Sequence, residues 1–210
     1  IILFYTMSSN IDHIFYINLD KRTDRKVEFE VEMKKLNWNA ERFSGIYYAP
    51  PKGIVGCGKS HLAVLKLAKE RNYKNVLIME DDFQCLESSE VFEKELNKLF
   101  TQKPDFDVCF LAYNLHKSEE VPDHPYIQRA LYSATASAYI INNHYYQTLI
   151  DLYEDAFIKL EKTMHHWLYA NDQVWKSLQE KDNWFYFTKR LGKQRDGFSD
   201  NANKNIAYNC

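Results

Sequence analysis

The chain has 210 residues, 45% of them hydrophobic and 15% aromatic, which is enough to bury the core of one generous domain. Its 27 basic and 29 acidic residues nearly balance, which argues against a general electrostatic attraction to nucleic acid. The four cysteines show no CxxC spacing and are too scattered for a disulfide scaffold or a zinc ribbon.

The cysteine usage and the absence of an Asn-x-Ser/Thr acceptor both favour, weakly, a reducing compartment. Residues 1–7 are apolar but too few to span a bilayer. The chain does not begin with Met, so a removed upstream segment stays open. A cytoplasmic or membrane-peripheral location is favoured, and the secretory-pathway lumen is the alternative.

The first predicted elements are a strand over residues 11–19, rich in Ile, Phe and Tyr, and a helix that continues to about Leu36. Asp20 or Thr23 is the expected cap of this helix.

Arg22 and Arg25 lie three residues apart at the start of the first helix, on one face and beside the carboxyl end of the strand. Cations at this end of a helix oppose its dipole, so the pair suits an anionic ligand better than a role in folding. The alternative is a pair of solvated arginines.

The remaining pattern alternates strands with helices, which predicts an α/β fold with a mostly parallel sheet in a single domain, 1–210, with its core at about 11–200. Expected strands cover residues 41–48, 76–79, 105–112, 133–141 and 184–188. Expected helices cover residues 56–71, 91–100, 145–160 and 167–178. A polar loop over 117–126 is expected to cover the site, and the polar tail from residue 193 is expected to wrap over the surface.

The central feature is the unbroken apolar run of residues 76–79, typical of a strand buried on both faces, which ends in Glu80, Asp81 and Asp82. Three adjacent, partly buried acids repel one another, and a bound cation removes that cost. Oxygen ligands favour Mg²⁺, Mn²⁺ or Ca²⁺ over zinc. Ligands of open α/β sheets bind beyond the carboxyl ends of strands, so we expect a metal or phosphate site here, with a solvated acidic turn as the alternative.

A rival pattern occurs at residues 53–60, where Gly53, Gly58, Lys59 and Ser60 match G-x-x-x-x-G-K-S of phosphate-binding loops. Such a loop must follow a buried strand directly, but Pro-Pro-Lys stands before it, and proline cannot donate in a central strand. A P-loop nucleotide hydrolase or kinase is therefore the alternative function. A receiver-like phosphoacceptor fits less well, because its acids come off the first strand.

Six stretches, in the expected order over about residues 11–200, resemble motifs of glycosyltransferase family 25, which includes lipooligosaccharide and procollagen galactosyltransferases. They are residues 17–25 (INLDKRTDR), 56–61 (GCGKSH), 76–82 (VLIMEDD), 137–141 (SAYII), 171–173 (NDQ), and Gln194-Arg195 with Ser199-Asp200.

The resemblance implies a GT-A-type, Rossmann-like domain that binds a nucleotide-sugar and a divalent metal, Mn²⁺ or Mg²⁺. The acids after the central strand correspond to the family's DxD motif. The implied metal ligands are Asp82, Glu80 and Asp200. Asp200, or water, would stand in for a late His ligand, since no His follows His166. The implied nucleotide-sugar ligands are Asn18, Asp20, Arg22, Arg25, Ser60, His61 and Glu80.

Inversion at the sugar requires a base for the acceptor hydroxyl. The expected base is Asp172, with Asp81 as a second catalytic acid; capping of a helix is the alternative role of Asp172. His61 is expected to orient Asp81, to touch the sugar, or to be a satisfied core histidine. His165 and His166 are assigned to the acceptor side or the surface.

The resemblance therefore predicts transfer of a hexose, galactose from UDP-galactose in the first instance, to a hydroxyl of a glycan or a hydroxylysine-type side chain. A catalytically inactive binding module with the same fold is a further alternative. A homodimer is compatible with the aromatic content, and no nucleic-acid partner is expected.

Overall fold

The structure of the chain, a computed structural model, describes residues 10–103, 105–200 and 204–208. Its strands are β1 His13–Asn18, β2 Glu41–Ser44, β3 Asn75–Glu80, β4 Phe83–Cys85, β5 Val108–Glu120, β6 Ile127–Asn142, β7 Trp184–Phe187, β8 Gly192–Gln194, β9 Gly197–Ser199 and β10 Lys204–Ile206. Its helices are α1 Thr23–Leu36, α2 Gly53–Glu70, α3 Ser89–Gln102, α4 Tyr146–Thr163, α5 His166–Tyr169, α6 Asn171–Val174 and α7 Lys176–Gln179, with a 3₁₀ turn at Asn143–Tyr145.

The central sheet has the strand order β2-β1-β3-β6-β5-β7. Strand β1 is parallel to β2 and β3, and β5 is parallel to β7, whereas β6 runs antiparallel to both of its neighbours β3 and β5. The predicted α/β class with a mostly parallel sheet is confirmed. The carboxyl ends of β1, β2 and β3 therefore meet at one edge of the sheet, where the acids follow β3.

Helices cover both faces of the sheet and divide the core into two clusters. Alternate residues of β3 separate the clusters: Val76 and Ile78 pack on the face of α2 and α4, while Leu77 and Met79 pack on the face of α1 and α3. All four are fully buried, as an uninterrupted apolar run in a sheet covered on both faces predicts.

The bounds of several predicted elements, and the expected cap of α1, differ from the prediction. Strand β2 ends at Ser44 and not at residue 48. The expected loop over residues 117–126 is wrong for its first part, because β5 continues to Glu120 and pairs with the start of β6. The side chains of the later part of β5 are mostly exposed, so a polar sequence there did not distinguish a strand from a loop. Asp20 and Thr23 do not cap α1; Arg22 is the cap residue, and no side chain bonds there.

The single helix expected over residues 167–178 is wrong and is replaced by α5, α6 and α7. In one straight helix, Trp167, Asn171 and Trp175 would lie on the same face. Trp167 is 58% exposed, while Asn171 and Trp175 are buried. Ala170 has an extended backbone, with ψ of 153°, and this break turns the later residues into the core.

The P-loop interpretation of residues 53–60 is also wrong. These residues form the first turns of α2, which begins at Gly53 directly after Lys52 and does not follow a strand. Lys59 Nζ lies 2.6 Å from Glu161 Oε2 and 2.8 Å from Tyr48 Oη, so its charge is neutralised by a neighbouring helix. The backbone amides needed to cradle a phosphate belong to a continuous helix instead.

The glycines of this segment serve close packing. A Cβ at Gly56 would lie 2.2 Å from the carbonyl oxygen of Ile46, and a Cβ at Gly58 would lie 2.7 Å from the ring of Phe157. Helix α2 thereby approaches the backbone after β2, which forms one wall of the cleft described below.

We expect Gly56→Ala to lower the free energy of unfolding by about 2 kcal/mol, since a backbone carbonyl cannot move aside as a flexible side chain can. Helix propensity alone would favour alanine by about 1 kcal/mol, so a net loss reports the packing. Chemical denaturation measures the change. Lys66→Ala, at an exposed position of the same helix, should stay within about 0.5 kcal/mol of wild type. A Gly56→Ala protein as stable as that control would contradict the packing argument.

In the described part of the chain, no helix combines the length and apolar character needed to cross a membrane. The apolar residues 1–7 lie outside the described residues.

Candidate active site

A cleft of about 790 Å³, open to solvent, lies beyond the carboxyl ends of β1 and β3. Its walls are the start of α1, the segment after β2, the first turns of α2, and the tail that follows β8. The lining includes Lys21, Arg22, Arg25, Tyr47, Tyr48, Cys57, Ser60, His61, Glu80, Asp81, Asp82, Gln194, Ser199, Asp200 and Tyr208. Of the predicted site residues, this cleft brings together all except Asn18, Asp20 and Asp172.

Asp82 is the most deeply enclosed of the three acids, with 4% of its surface exposed. Its carboxylate accepts hydrogen bonds from Gln194 Nε2 at 3.1 Å, Ser137 Oγ at 3.3 Å and Arg25 Nη1 at 3.2 Å. Burial, with the nearby charge of Glu80, raises the pKa of Asp82 to about 7. The site therefore holds this group at a substantial electrostatic cost, as the sequence argument anticipated for adjacent acids.

Asp81 lies in a network that joins the ends of β1 and β3. Asn18 Nδ2 donates to Asp81 Oδ2 at 2.7 Å, and Arg25 Nη1 donates to Asp81 Oδ1 at 2.9 Å. Arg42 Nε in turn donates to Asn18 Oδ1 at 2.9 Å. Burial raises the pKa of Asp81, although Arg25 and Asn18 oppose the rise. Asn18 is thus held by Arg42 on one side and positions Asp81, which faces the cleft, on the other.

Glu80 points to the α2 side of the sheet. Its Oε1 accepts from the Cys57 thiol at 3.4 Å and lies 3.0 Å from His61 Nε2. The other ring nitrogen of His61, Nδ1, lies 3.0 Å from Tyr139 Oη. Burial would raise the pKa of Glu80, but the hydrogen bond and charge of His61, the hydrogen bond from Cys57 and the charge of Arg25 together lower it. The proposed orientation of Asp81 by His61 is wrong, because His61 contacts Glu80; it is a fully buried, satisfied histidine at the wall of the cleft.

The two predicted arginines meet the tail. Phe198 O accepts from Arg25 Nη2 at 2.8 Å and from Arg22 Nη1 at 3.3 Å. Asp200 Oδ2 lies 2.6 Å from Arg22 Nη1, and its Oδ1 lies 2.7 Å from Lys21 Nζ. The chain's own carboxylate therefore occupies a cationic corner of the cleft, which shows that this corner accepts an anionic group.

The predicted metal ligands Asp82, Glu80 and Asp200 are all at the cleft but have different partners. Among the described residues, the group of three potential ligands whose atoms all lie within 4.8 Å of one another is Cys57, His61 and Glu80. The three-acid set stays a prediction, and Asp200 would have to leave Lys21 and Arg22 to join it.

Two predicted nucleotide ligands are held by the fold. Asp20, 76% exposed at the side chain, accepts from Arg42 at 2.6 Å and from Ser44 at 2.9 Å. Ser60 Oγ accepts from Ile46 N at 2.8 Å and donates to Gly56 O at 2.7 Å. Ser60 therefore fastens the wall after β2 to helix α2.

Asp172 is in the first turn of α6, beyond the Cys57 side of the cleft. Its Oδ2 accepts from the backbone N–H of Thr135 at 3.2 Å, where β6 takes a left-handed conformation with φ of 74°. It does not cap α6, so the capping alternative is wrong. After burial and Glu80, its charge also contributes to the raised pKa of the Cys57 thiol, which shows that it lies near the site.

His165 and His166 pack against the exposed ring of Trp167, with centroids 4.9 and 5.2 Å away, so the surface role predicted for them fits their position. Sequence reasoning did not assign Ser137, Gln194 and Arg42, which hold Asp82 and Asn18. Ser137 and Gln194 stand inside stretches already noted for their resemblance, whereas nothing in the sequence distinguishes Arg42.

The charge at the end of β3 fits a divalent cation. Of the three carboxylates Glu80, Asp81 and Asp82, two are in direct contact with a single guanidinium, that of Arg25. Burial first, and then the negative charges of Glu80 and Asp81, raise the pKa of Asp82, so a bound cation would relieve the cost of its ionised form. Carboxylate oxygens in an open cleft suit Mn²⁺ or Mg²⁺, so the residues present fit the metal that the resemblance implies.

No protein-family model and no curated protein matches the chain. The solved structure of A197 from STIV is similar at 12% identity and a TM-score of 0.51, over 93% of each chain. The mannose-1-phosphate geranyltransferase from Thermus thermophilus is similar at 6% identity and a TM-score of 0.47, over 89% of this chain and 74% of that chain. A glycosyltransferase involved in glycosylation of the major capsid of PBCV-1 is similar at 8% sequence identity and a TM-score of 0.40, over 84% of this chain and 93% of that chain. At these identities the likeness concerns the fold alone.

Proposed function

We propose that the chain is a metal-dependent, inverting glycosyltransferase of the GT-A type, which moves a hexose, galactose from UDP-galactose in the first instance, to a hydroxyl of a glycan or a hydroxylysine-type acceptor. The observation that carries the proposal is the network of Asn18, Arg25, Asp81 and Asp82 at the joined ends of β1 and β3. It places arginine donors and buried carboxylates at one point of an open cleft, the combination that a diphosphate and its cation require.

The diphosphate would be bound by Arg22 and Arg25, whose planar donor groups match phosphate oxygens. In the structure these donors hold Asp200 and Phe198 O. A nucleotide entering the cleft would replace these tail contacts, so donor binding and movement of the tail are coupled. Tyr47, which lines the cleft and is 57% exposed, would offer its ring for stacking of the nucleotide base.

The metal would be held by Asp82 and Glu80, with Asp200 as the further acid. A divalent ion supplies Lewis-acid stabilisation of the negative charge that develops on the departing nucleoside diphosphate. Ser137 and Gln194 keep the carboxylate of Asp82 directed at the cleft, and Asp81 keeps Arg25 beside it.

Asp172 would take the proton of the acceptor hydroxyl. Its carboxylate is fixed by the Thr135 backbone and lies outside the lining of the cleft, close enough for its charge to act on the Cys57 thiol. Inversion requires the base on the opposite face of the sugar from the leaving group, so the proposal has the sugar lie between Asp172 and the diphosphate.

Isothermal titration calorimetry of the wild type with UDP, UDP-galactose, UDP-glucose and ATP, with and without Mn²⁺, tests the donor site. We expect Mn²⁺-dependent binding of UDP and of one sugar nucleotide, and no preference for ATP. Lys59→Ala should leave the UDP Kd within about twofold, because Lys59 pairs with Glu161 and such part-exposed pairs contribute only about 0–1 kcal/mol.

Preferential ATP binding, or loss of nucleotide binding in Lys59→Ala, would overturn the transferase assignment. Binding of UDP-sugar without UDP release in the presence of any hydroxyl acceptor would instead support an inactive module. Release of UDP with a mixed set of glycan and hydroxylysine acceptors identifies turnover and the acceptor class together.

A further inference from the structure

The proposed glycosyl transfer gives no role to Cys57 and His61, which form a cluster with Glu80 at the cleft. Cys57 and His61 lie four residues apart in α2 and therefore project from the same face of the helix. Both converge on Oε1 of Glu80, at the end of β3. The thiol sulfur, the imidazole nitrogen and the carboxylate oxygen all lie within 4.8 Å of one another, so a single ion could contact all three.

We propose that Cys57, His61 and Glu80 form a binding site for a soft or borderline divalent transition metal such as Zn²⁺ or Co²⁺, which shares Glu80 with the hard-cation site at Asp82 and adds Cys57 and His61 as its own ligands. Sulfur, imidazole and carboxylate together are a zinc-type donor set, and a thiolate discriminates against Mg²⁺ and Mn²⁺. This site does not depend on glycosyl transfer, and its test is independent of that activity.

The surroundings of His61 support the assignment. Tyr139 Oη lies 3.0 Å from Nδ1 and fixes the ring with Nε2 directed at Glu80. Metal-ligating histidines commonly have their second nitrogen held by an oxygen group in this way. Metal binding would move the ring proton to Nδ1, where Tyr139 accepts it, and Nε2 would become the ligand.

Access and charge also fit. Cys57, His61 and Glu80 all line the open cleft, so an ion that enters the cleft can reach them. The Cys57 thiol would lose its proton to solvent on binding, forming the metal–sulfur bond. The excess negative charge at the end of β3 favours that exchange.

The site is separable from its neighbour because the two carboxylates have different partners. Glu80 Oε1 contacts α2, whereas Asp82 contacts Ser137, Gln194 and Arg25. Asp82→Asn should therefore leave the transition-metal site in place.

Co²⁺ titration of the full chain, followed by absorption spectroscopy, tests the proposal, because cobalt bound to a thiolate shows a sulfur-to-metal charge-transfer band that oxygen ligands do not produce. We expect the band in wild type and its loss in Cys57→Ser. It should persist in Cys85→Ser, which alters another part-buried thiol beside a glutamate, Glu32, and in Cys210→Ser. Zn²⁺ should displace the cobalt and abolish the band.

Tyr139→Phe distinguishes a metal site from a cluster that is only a hydrogen-bonded part of the core. It should keep the band but weaken Co²⁺ affinity about tenfold, the usual effect of removing a group that orients a ligand. If Cys57→Ser fails to fold, Cys57→Ala replaces it. No band in wild type, a band that survives in the Cys57 variant, or one lost in Cys85→Ser or Cys210→Ser would overturn the site.

Discussion

Asp82→Asn is expected to lower the rate of sugar transfer about a thousandfold and to abolish Mn²⁺-dependent UDP binding. The metal's stabilisation of developing charge is worth several kcal/mol, and about 1.4 kcal/mol corresponds to tenfold. The substitution removes the carboxylate that is enclosed by Ser137, Gln194 and Arg25 but preserves its shape. Calorimetry with UDP and a UDP-release assay measure the two effects.

The same substitution should not destabilise the protein. Burial, with Glu80, raises the pKa of Asp82 from 3.8 to about 7, so the metal-free folded protein loses stability as pH rises through this interval. The neutral amide of Asp82→Asn carries no such penalty. The metal-free variant should therefore unfold at or above the wild-type temperature at pH 8, which separates loss of activity from loss of structure.

Asp105→Asn is the matched control, because it removes an exposed carboxylate that pairs with Lys103 at the amino end of β5, away from the cleft. It should retain transfer and UDP binding. Full transfer by Asp82→Asn, or equal losses in both variants, would contradict the assigned role of Asp82.

The position of the site was predictable because it follows from topology. A four-residue apolar run that ends in acids fixes β3, and parallel neighbours bring the ends of β1 and β3 to one edge. The contact between Arg25 and Asp81, 56 residues apart, thus follows from the spacing of the first helix and the central strand.

The side-chain partners were less predictable. Glu80, Asp81 and Asp82 are adjacent in sequence, yet Glu80 bonds to α2 and Asp81 to Asn18 and α1. Only Glu80 belongs to β3, whereas Asp81 and Asp82 form the turn that leads to β4, so the geometry of this turn and the elements around it decide their partners. Arg42, which anchors Asn18, follows it by 24 residues, and its role depends on the β1–β2 register alone.

The break at Ala170 shows a second limit of sequence patterns. Helical periodicity continued through residues 167–178, but the left-handed turn at Thr135 leaves backbone groups of β6 for side chains to satisfy. Asp172 accepts from Thr135 N, and Gln179 and Trp175 bond to the backbone of Ser133. These hydrogen bonds to the unpaired backbone groups of β6 therefore outweighed the local helix propensity of residues 167–178.

Asp172→Asn is the second substitution with a large expected effect. As the base for the acceptor hydroxyl, Asp172 should contribute about 10²–10⁴ to the rate, so kcat should fall by that factor. The UDP Kd should remain within about twofold, because the arginines and Asp82 that would bind the donor line the cleft, whereas Asp172 does not. Steady-state kinetics and calorimetry separate the two quantities.

The substitution should remove the base without disturbing the fold, because the amide oxygen of the variant can still accept a hydrogen bond from Thr135 N and keep the bulge of β6. A base that acts in its ionised form produces a decline of kcat at low pH, and the variant should lose that decline along with most of its rate. Glu180→Gln, an exposed acid just after α7, should leave both kcat and its pH profile unchanged. Two results would contradict the role of Asp172 as the base: weakened UDP binding in Asp172→Asn, or a kcat within tenfold of wild type that still declines at low pH. Either result would mean that Asp172 only holds the bulge of β6. The base would then be sought among the acids that line the cleft.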